Sequence, residues 1–214
     1  TLRVSASHSF GTTKLSPLIP EFHAAYPNIK LDLVLTDRIV DIIEERFDVA
    51  IRHGPLPDSS FIAKTVLRTK YYACASPDYL NKVKPIKKVT DISNLDCLTF
   101  PLPGFANIWR FRDSKGRETE VPIQSAMSAN SGLVLRECAL RGNGIVLLSD
   151  WLIGDDLLTG KLINLFPHLT ATPTNFQTII SAVYPNRQYT PKKVLALVNF
   201  LYAQLGLDNR TKNS

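Results

Sequence analysis

Polar residues that could contact a small molecule lie at the predicted ends of strands. The run Ser7-His8-Ser9-Phe10-Gly11 follows an alternating apolar segment and precedes an apolar stripe at helical spacing. Two hydroxyls and an imidazole beside the exposed N–H groups of a helix start favour an anion such as a carboxylate. The simpler alternative is that Ser9 or Thr13 only caps the helix. We favour a ligand role because this run coincides with the crevice that the strand order predicts.

Three further positions lie at equivalent places. His53-Gly54 follows the strand of residues 48–52, where a plain turn at Gly54-Pro55 explains the residues equally well. Asn130-Ser131 lies between a strand and a helix, and there helix capping and ligand contact can coexist. Phe100 follows the strand that begins at Cys97, and a packed core aromatic is its favoured interpretation.

The sequence contains no recognisable catalytic or metal-binding motif. There is no G-x-S-x-G or H-E-x-x-H, and no serine or cysteine motif accompanies His8, His23, His53 or His168. Gly142-Asn143-Gly144 follows a helix and precedes a strand, the wrong order for a phosphate loop, so it predicts a helix C-cap. We therefore expect no enzyme activity, no cofactor and no metal.

Bulk properties limit the class of protein. Three separated cysteines, Cys74, Cys97 and Cys138, predict buried thiols rather than disulfides or zinc ligands, and hence a cytoplasmic location. No apolar run approaches the roughly 18 residues of a membrane span. The chain begins Thr1-Leu2 without Met or signal peptide, as expected of a domain cut from a longer protein or of a processed chain.

The net charge is +6, and the densest basic run surrounds Pro85. Its members are Lys82, Lys84, Lys87 and Lys88. Because they lie in a proline-containing loop without interleaved aromatics, we expect a solvated face rather than a DNA-binding surface.

The elements that position these residues follow an α/β pattern. Strands are predicted at residues 2–6, 29–35 and 48–52, separated by a helix through Leu15 to Tyr26 and a short helix through Val40 to Phe47. Such β-α-β-α-β order predicts a parallel sheet with right-handed crossovers. A ligand crevice is then expected at the carboxyl ends of the strands.

The remaining chain predicts a second α/β lobe of about 100 residues. Its predicted elements are strands at 71–75, 97–100, 126–129 and 145–148, a hairpin of 108–111 with 120–123, and helices capped by Ser76 and by Asn130-Ser131. A strand at 178–184 and a final helix capped by Thr190-Pro191 complete the chain. Ordered strands near residues 68–76 and 178–184 are expected to join the lobes.

Several of these stretches, in this order, resemble the effector-binding domain of LysR-type transcriptional regulators. The resemblance covers essentially the whole chain. It rests on Leu2-Arg3-Val4-Ser5-Ala6, Leu18-Ile19-Pro20-Glu21-Phe22, Tyr26-Pro27-Asn28-Ile29, Phe47-Asp48-Val49-Ala50-Ile51-Arg52-His53-Gly54 with Asp58-Ser59-Ser60, Ala75-Ser76-Pro77-Asp78-Tyr79-Leu80, Gly142-Asn143-Gly144-Ile145 and Ala182-Val183-Tyr184-Pro185.

This resemblance implies a type 2 periplasmic-binding-protein-like fold with two Rossmann-like lobes and two crossover strands. Lobe I would comprise residues 1–70 and 178–214, and lobe II residues 71–177. The ligand would lie between the lobes, and the implied site residues are Ser7, His8, Ser9, Phe10, His53 and Gly54 on lobe I with Phe100, Pro101 and Asn130 on lobe II.

The resemblance also implies partners. Two domains would pair antiparallel, with the helix from Leu15 and the strand 29–35 of one against the helix from Ser131 of the other, in dimers or tetramers. DNA would be bound only through an N-terminal winged helix-turn-helix that this chain lacks. The leading hypothesis is an allosteric sensor of a small effector, plausibly a carboxylate. The alternatives are a solute-binding protein of a transport system and an enzyme acting on small acids.

Overall fold

A computed structural model describes residues 1–38, 40–54, 61–101, 107–186 and 189–206 of the chain. The resemblance motif at 58–60 lies outside these residues. The chain divides into two units, Thr1–Arg68 with Gln177–Ser214 and Thr69–Phe176. Within the described ranges, no helix combines the length and apolar character that crossing a membrane requires.

The described strands are numbered in chain order. They are β1 Leu2–Ala6, β2 Leu31–Leu35, β3 Val49–His53, β4 Phe61–Arg68, β5 Tyr71–Ala75, β6 Cys97–Thr99, β7 Ile108–Arg112, β8 Glu118–Pro122, β9 Ser125–Ser128, β10 Ile145–Ser149, β11 Ile163–Asn164, β12 Thr170–Thr172 and β13 Ile179–Pro185.

The α-helices are numbered in the same way. They are α1 His8–Phe10, α2 Ile19–Ala25, α3 Pro77–Leu80, α4 Gly132–Leu140, α5 Asp150–Leu158 and α6 Lys192–Leu205. A π-helical turn, Gly11–Leu15, and a 3-10 turn, Ser16–Leu18, join α1 to α2 without a break, and a second 3-10 segment spans Val89–Asn94.

The first unit is built on a five-stranded sheet of order β2-β1-β3-β13-β4. β1 pairs in parallel with β2 and with β3, as predicted from the alternation of strands and helices. β13 runs antiparallel to both β3 and β4. β4 was not predicted from the sequence. Lys64 on β4 donates to Asn199 of α6 over 2.8 Å, which fixes that helix against the sheet.

Helical structure begins earlier than predicted. The expected loop Ser7–Gly11 is wrong because residues 8–10 are already helical, and the cap is Ser7 rather than Ser9 or Thr13. The Ser7 hydroxyl accepts the N–H of Phe10 over 3.3 Å. Gly11 lies close to β2, since a Cβ there would come within 2.1 Å of Leu35 Cδ2. The close passage of this turn against β2 therefore favours glycine.

The short helix predicted through Val40 to Phe47 is wrong. These residues form hydrogen-bonded turns in which the Asp41 carboxylate accepts the N–H groups of Ile43 and Glu44. Arg46 then adopts a positive φ of 56°, which ends any helical progression before β3. The Asp41 contacts resemble those of a helix N-cap, but the left-handed Arg46, five positions after Asp41, leaves room for a turn only.

The second unit contains a sheet of order β8-β7-β12-β5-β10-β6-β9, with β11 also paired to β5. Its central strands β5 and β10 are buried on both faces. Ala73, Ala75 and Leu147 belong to one hydrophobic cluster, whereas Cys74 and Val146 belong to a second cluster with residues of α4 and α5. This alternation is why both strands are apolar throughout.

The helix ends predicted for the second unit, and for α6 of the first unit, differ in how they are capped. Ser76 caps α3 by accepting the N–H of Tyr79 over 3.3 Å, as expected. Helix α4 begins after Ser131, but without a side-chain capping bond, and α6 begins after Pro191 in the same way, so the side-chain caps expected at those two helices are wrong. The predicted C-cap at Gly142 is confirmed. There the Gly142 N–H donates to the Ala139 carbonyl and the Asn143 N–H to the Cys138 carbonyl, both over 3.1 Å.

Gly144 allows β10 to approach the turn before β6. Its φ is +152°, and a Cβ would lie 2.6 Å from the Asp96 carbonyl oxygen. We predict that Gly144→Ala lowers the free energy of unfolding by about 2 kcal/mol or more, measured by urea denaturation. Gly154→Ala is the control, because nothing lies within 4 Å of its added Cβ inside α5. Equal stability of the two variants would contradict this role of Gly144.

Candidate functional site

The first unit brings Ser7, Phe10 and His53 together. Because β1 and β3 are parallel neighbours, Ser7, just after β1, lies beside His53 at the end of β3. The Ser7 Oγ to His53 Nε2 distance is 3.4 Å. The buried Phe10 ring meets the His53 imidazole edge to face, with centroids 5.8 Å apart. A hydroxyl, an imidazole and an apolar ring therefore share one end of the sheet.

His8 extends this cluster towards β2 through a residue that the sequence analysis missed. The backbone N–H of His8 donates to Asp37 Oδ1, and its Nδ1 lies near Asp37 Oδ2, both over 3.1 Å. Asp37 follows the carboxyl end of β2, so the rule that singled out Ser7 and His53 could also have found it. Three adjacent parallel strands thus each contribute a polar side chain at their carboxyl ends.

Ser9 and Gly54 have mainly structural contacts. Ser9 is only 5% exposed, and its carbonyl accepts the Thr13 hydroxyl over 2.6 Å. Gly54 has a φ of 81° and donates its N–H to the Ile179 carbonyl of β13 over 2.8 Å. Both lie at the cluster, and their observed contacts serve the helix and the sheet edge.

The helix start offers fewer N–H groups than expected. The N–H of His8 is taken by Asp37, that of Phe10 by the Ser7 hydroxyl, and that of Gly11 by the Ser7 carbonyl over 2.8 Å. The sequence-based rationale, exposed N–H groups waiting for an anion, is therefore wrong for these three donors. These three N–H groups are therefore not available to an anion.

His53 is a neutral imidazole at neutral pH. Although the side chain keeps solvent-accessible surface, the density of protein around the ring disfavours the imidazolium and lowers the pKa of His53 to about 4. The positive charge of Arg52 lowers the pKa as well, while Asp37 opposes the shift. His53 therefore acts as a hydrogen-bonding group and not as a cation.

In the Nε2–H tautomer His53 can donate to Ser7 Oγ. That oxygen then accepts two hydrogen bonds, from Phe10 N–H and from His53, and both of its lone pairs are used. The hydroxyl proton of Ser7 is left to donate outward. In this arrangement the site favours a ligand that carries an acceptor oxygen.

In the second unit, Phe100 lines a solvent-open recess of about 360 Å³, and so does Trp109. The other lining residues are Leu98, Thr99, Asn107, Ile108, Leu147 and Pro173. Phe100 also packs against the cluster of α4 and α5, in agreement with the core interpretation. Pro101 and Asn130 are exposed, Pro101 beyond β6 and Asn130 between β9 and α4.

Two thiols are buried, and the described acidic and imidazole groups form no cluster for a metal ion. Burial raises the pKa values of Cys74 and Cys97 to about 12, so both are inert thiols, as predicted. Among the residues that the structure describes, no group of three or more His, Cys, Asp or Glu side chains could hold a metal ion.

The sequence matches the family model described as LysR substrate binding domain over residues 1–206. It is 33% identical over 205 residues to the HTH-type transcriptional regulator CrgA of Neisseria meningitidis, covering 96% of this chain and 67% of CrgA. It is 30% identical to the HTH-type transcriptional activator TtdR of Escherichia coli K12, covering 94% of this chain and 64% of TtdR. The chain thus spans about two thirds of the length of these curated relatives.

Solved structures agree. The CrgA regulatory domain has a TM-score of 0.81 and 32% identity, covering 96% of this chain and 98% of that one. The regulatory domain of AphB from Vibrio vulnificus has a TM-score of 0.75 and 25% identity, covering 95% and 98%. The chain belongs to the LysR family and is an effector-binding domain of that family, with a type 2 periplasmic-binding-protein-like fold. The expected class is confirmed, and the similarities give no support to the transport alternative.

The neutral state of His53 generates a pH prediction. An unfolded histidine titrates near pH 6.5, whereas folded His53 titrates near 4, so the unfolded chain binds more protons between these values. The stability that neutral His53 contributes is complete above about pH 6.5 and is lost as the pH falls towards 4. Between pH 7 and pH 4.5, the melting temperature of the wild type should fall further than that of His53→Gln. Parallel curves, or an NMR titration midpoint near 6.5, would contradict this assignment.

Proposed function

We propose that the chain senses a small effector through the Ser7–His53 cluster, defined as Ser7, His8, Phe10, Asp37 and His53. The observation that carries the proposal is the Ser7 hydroxyl, which accepts the Phe10 N–H and lies 3.4 Å from His53 Nε2. With His53 as the Nε2–H tautomer, the hydroxyl proton is available for a ligand. Ser9 and Gly54 support the cluster through backbone contacts. The function agrees with the family to which the chain belongs.

The proposed effector is a small molecule with a carboxylate or a similar acceptor group. A hydroxyl donor stabilises an anionic oxygen by a charge-assisted hydrogen bond, which is stronger than a neutral one. The Asp37 carboxylate would repel an anion. Its Oδ2 atom faces His8 Nδ1, so this oxygen is engaged with the imidazole. The expectation that Phe100, Pro101 and Asn130 contact an effector is likewise a proposal, and the recess that Phe100 lines in the second unit supports it.

The effector would act by differential affinity. A ligand shifts a protein between two arrangements only as far as it binds one of them more tightly. We propose that the whole protein binds DNA through an N-terminal helix-turn-helix, works in the cytoplasm and has no enzymatic activity. This is supported by the names of its relatives, which are HTH-type transcriptional regulators. Turnover of a bound effector by the purified chain would contradict the last point.

The binding site is tested with matched variants. A thermal-shift screen of small carboxylic acids and their amides identifies a ligand, and calorimetry well below the melting temperature then gives its Kd. Ser7→Ala and His53→Gln should each weaken binding about tenfold or more. Each removes one of the hydrogen bonds that link His53 through Ser7 to the charged acceptor of the ligand. Ser16→Ala and His168→Gln are the controls, since neither residue lies in the cluster. Equal affinities across all four variants would reject the site.

We also propose self-association through the helical run after Leu15, through β2 and through α4. β2 is the edge strand of its sheet and has half-buried leucines, and Val134 on α4 is 44% exposed. An apolar recess of about 370 Å³ beside the helical run offers further surface for burial.

The oligomer is tested by light scattering. Val134→Glu should lower the mass to that of a monomer at micromolar concentration, because it places a charge in the buried part of the pairing. Leu195→Glu is the matched control, since Leu195 is an apolar residue on α6 that is 39% exposed. A monomeric wild type, or a dimer that Val134→Glu leaves intact, would contradict the proposed surface.

A further inference from the structure

The basic segment between α3 and the 3-10 segment Val89–Asn94 has a fixed orientation. Val83, Ile86 and Val89 pack against the hydrophobic cluster that covers one face of the second unit's sheet. They recur at every third residue, as inward-facing side chains do in an extended, threefold backbone. The residues between them are exposed, among them Lys84, Lys87 and Lys88. We call these three residues the lysine ridge.

The carboxylate of Asp91 offsets part of the ridge charge, and three lysines against one aspartate leave it positive. The Asp91 carboxylate accepts the backbone N–H groups of Lys87 and Lys88 over 2.8 and 3.0 Å, so it orders the segment. None of the three ammonium groups forms an ion pair with a carboxylate of the described residues. Lys82 adds a fourth charge at the start of the segment, near Gly142 at the end of α4.

The side chains around the ridge indicate the chemistry of the partner that could bind it. In the described part of the chain, none of the large apolar side chains that are exposed belongs to residues 82–89. A protein partner would need apolar or aromatic anchors and an interface core depleted of lysine. A phosphate backbone needs neither, because lysine point charges bind it through charge neutralisation and counterion release.

Against the expectation from sequence of a merely solvated face, we propose that the lysine ridge docks against the phosphate backbone of duplex DNA without sequence preference. The ordered segment keeps three positive charges in place and faces them outward. Contacts of this kind position a protein on DNA and carry no sequence information. The inference is independent of the proposed effector site, since it concerns a different surface and a different partner.

The test compares two variants of equal net charge. Lys84, Lys87 and Lys88 are changed together to Gln in the ridge variant, and Lys115, Lys161 and Lys192 are changed together to Gln in the control. All six are exposed, so both variants should fold, which circular dichroism verifies. Binding of the chain to a fluorescent duplex without an operator is measured by polarisation between 50 and 200 mM salt.

For the wild type, three phosphate contacts predict a fall in affinity of about fortyfold across that salt range. The ridge variant should bind about tenfold or more weakly than the wild type at 50 mM salt and lose most of the salt dependence, whereas the control should change by less than about threefold. Equal loss in both variants would show a general charge effect and overturn the proposal. So would an absence of wild-type binding at 50 mM salt, or tighter binding of poly-glutamate than of the duplex.

Discussion

Parallel pairing of β1 with both of its neighbours is the constraint on which the rest of the first unit depends. The backbone hydrogen bonds continue beyond the ends of the strands. Their N–H donors and carbonyl acceptors are Leu2 and Lys30, Thr36 and Ala6, and Asp48 and Arg3. Because all three strands run the same way, the residues that follow them collect at one edge. That edge holds Ser7, Asp37 and His53, and a capped helix begins there. The local polar chemistry is thus a consequence of strand direction.

The sequence predicted those parts of the structure that depend on local pattern. Alternation of apolar residues located β1 and β2, and the glycine pair after α4 predicted its C-cap. The predictions were wrong where local structure depends on a residue that is distant in sequence. Ser7, Ser9 and Thr13 are all acceptable caps by residue type. The helix that Ser7 caps also has its His8 N–H bound by Asp37, 29 positions away, and no local pattern predicts that contact. The neutrality of His53 likewise comes from the protein that surrounds it, which no local pattern encodes.

The two proposed surfaces differ in their physical basis. At the Ser7–His53 cluster, the proposed recognition is directional, because one hydroxyl whose oxygen accepts hydrogen bonds within the protein would donate to one acceptor atom. On the lysine ridge, the proposed attraction from three exposed ammonium groups is non-directional and is screened by salt. The first suits a small effector of defined shape, and the second suits a long polyanion of uniform charge. A LysR-type effector-binding domain could therefore contribute to position on DNA as well as to effector sensing.

The most direct test of the effector site is NMR of the four histidine side chains during titration with a ligand found by the screen. The imidazole signals of His53 and His8 should shift together with saturation, while those of His23 and His168 should stay nearly unchanged. The ring signals of His53 should also keep the pattern of a neutral Nε2–H tautomer in the complex. Saturable shifts at His23 or His168 with none at His53 would contradict the account.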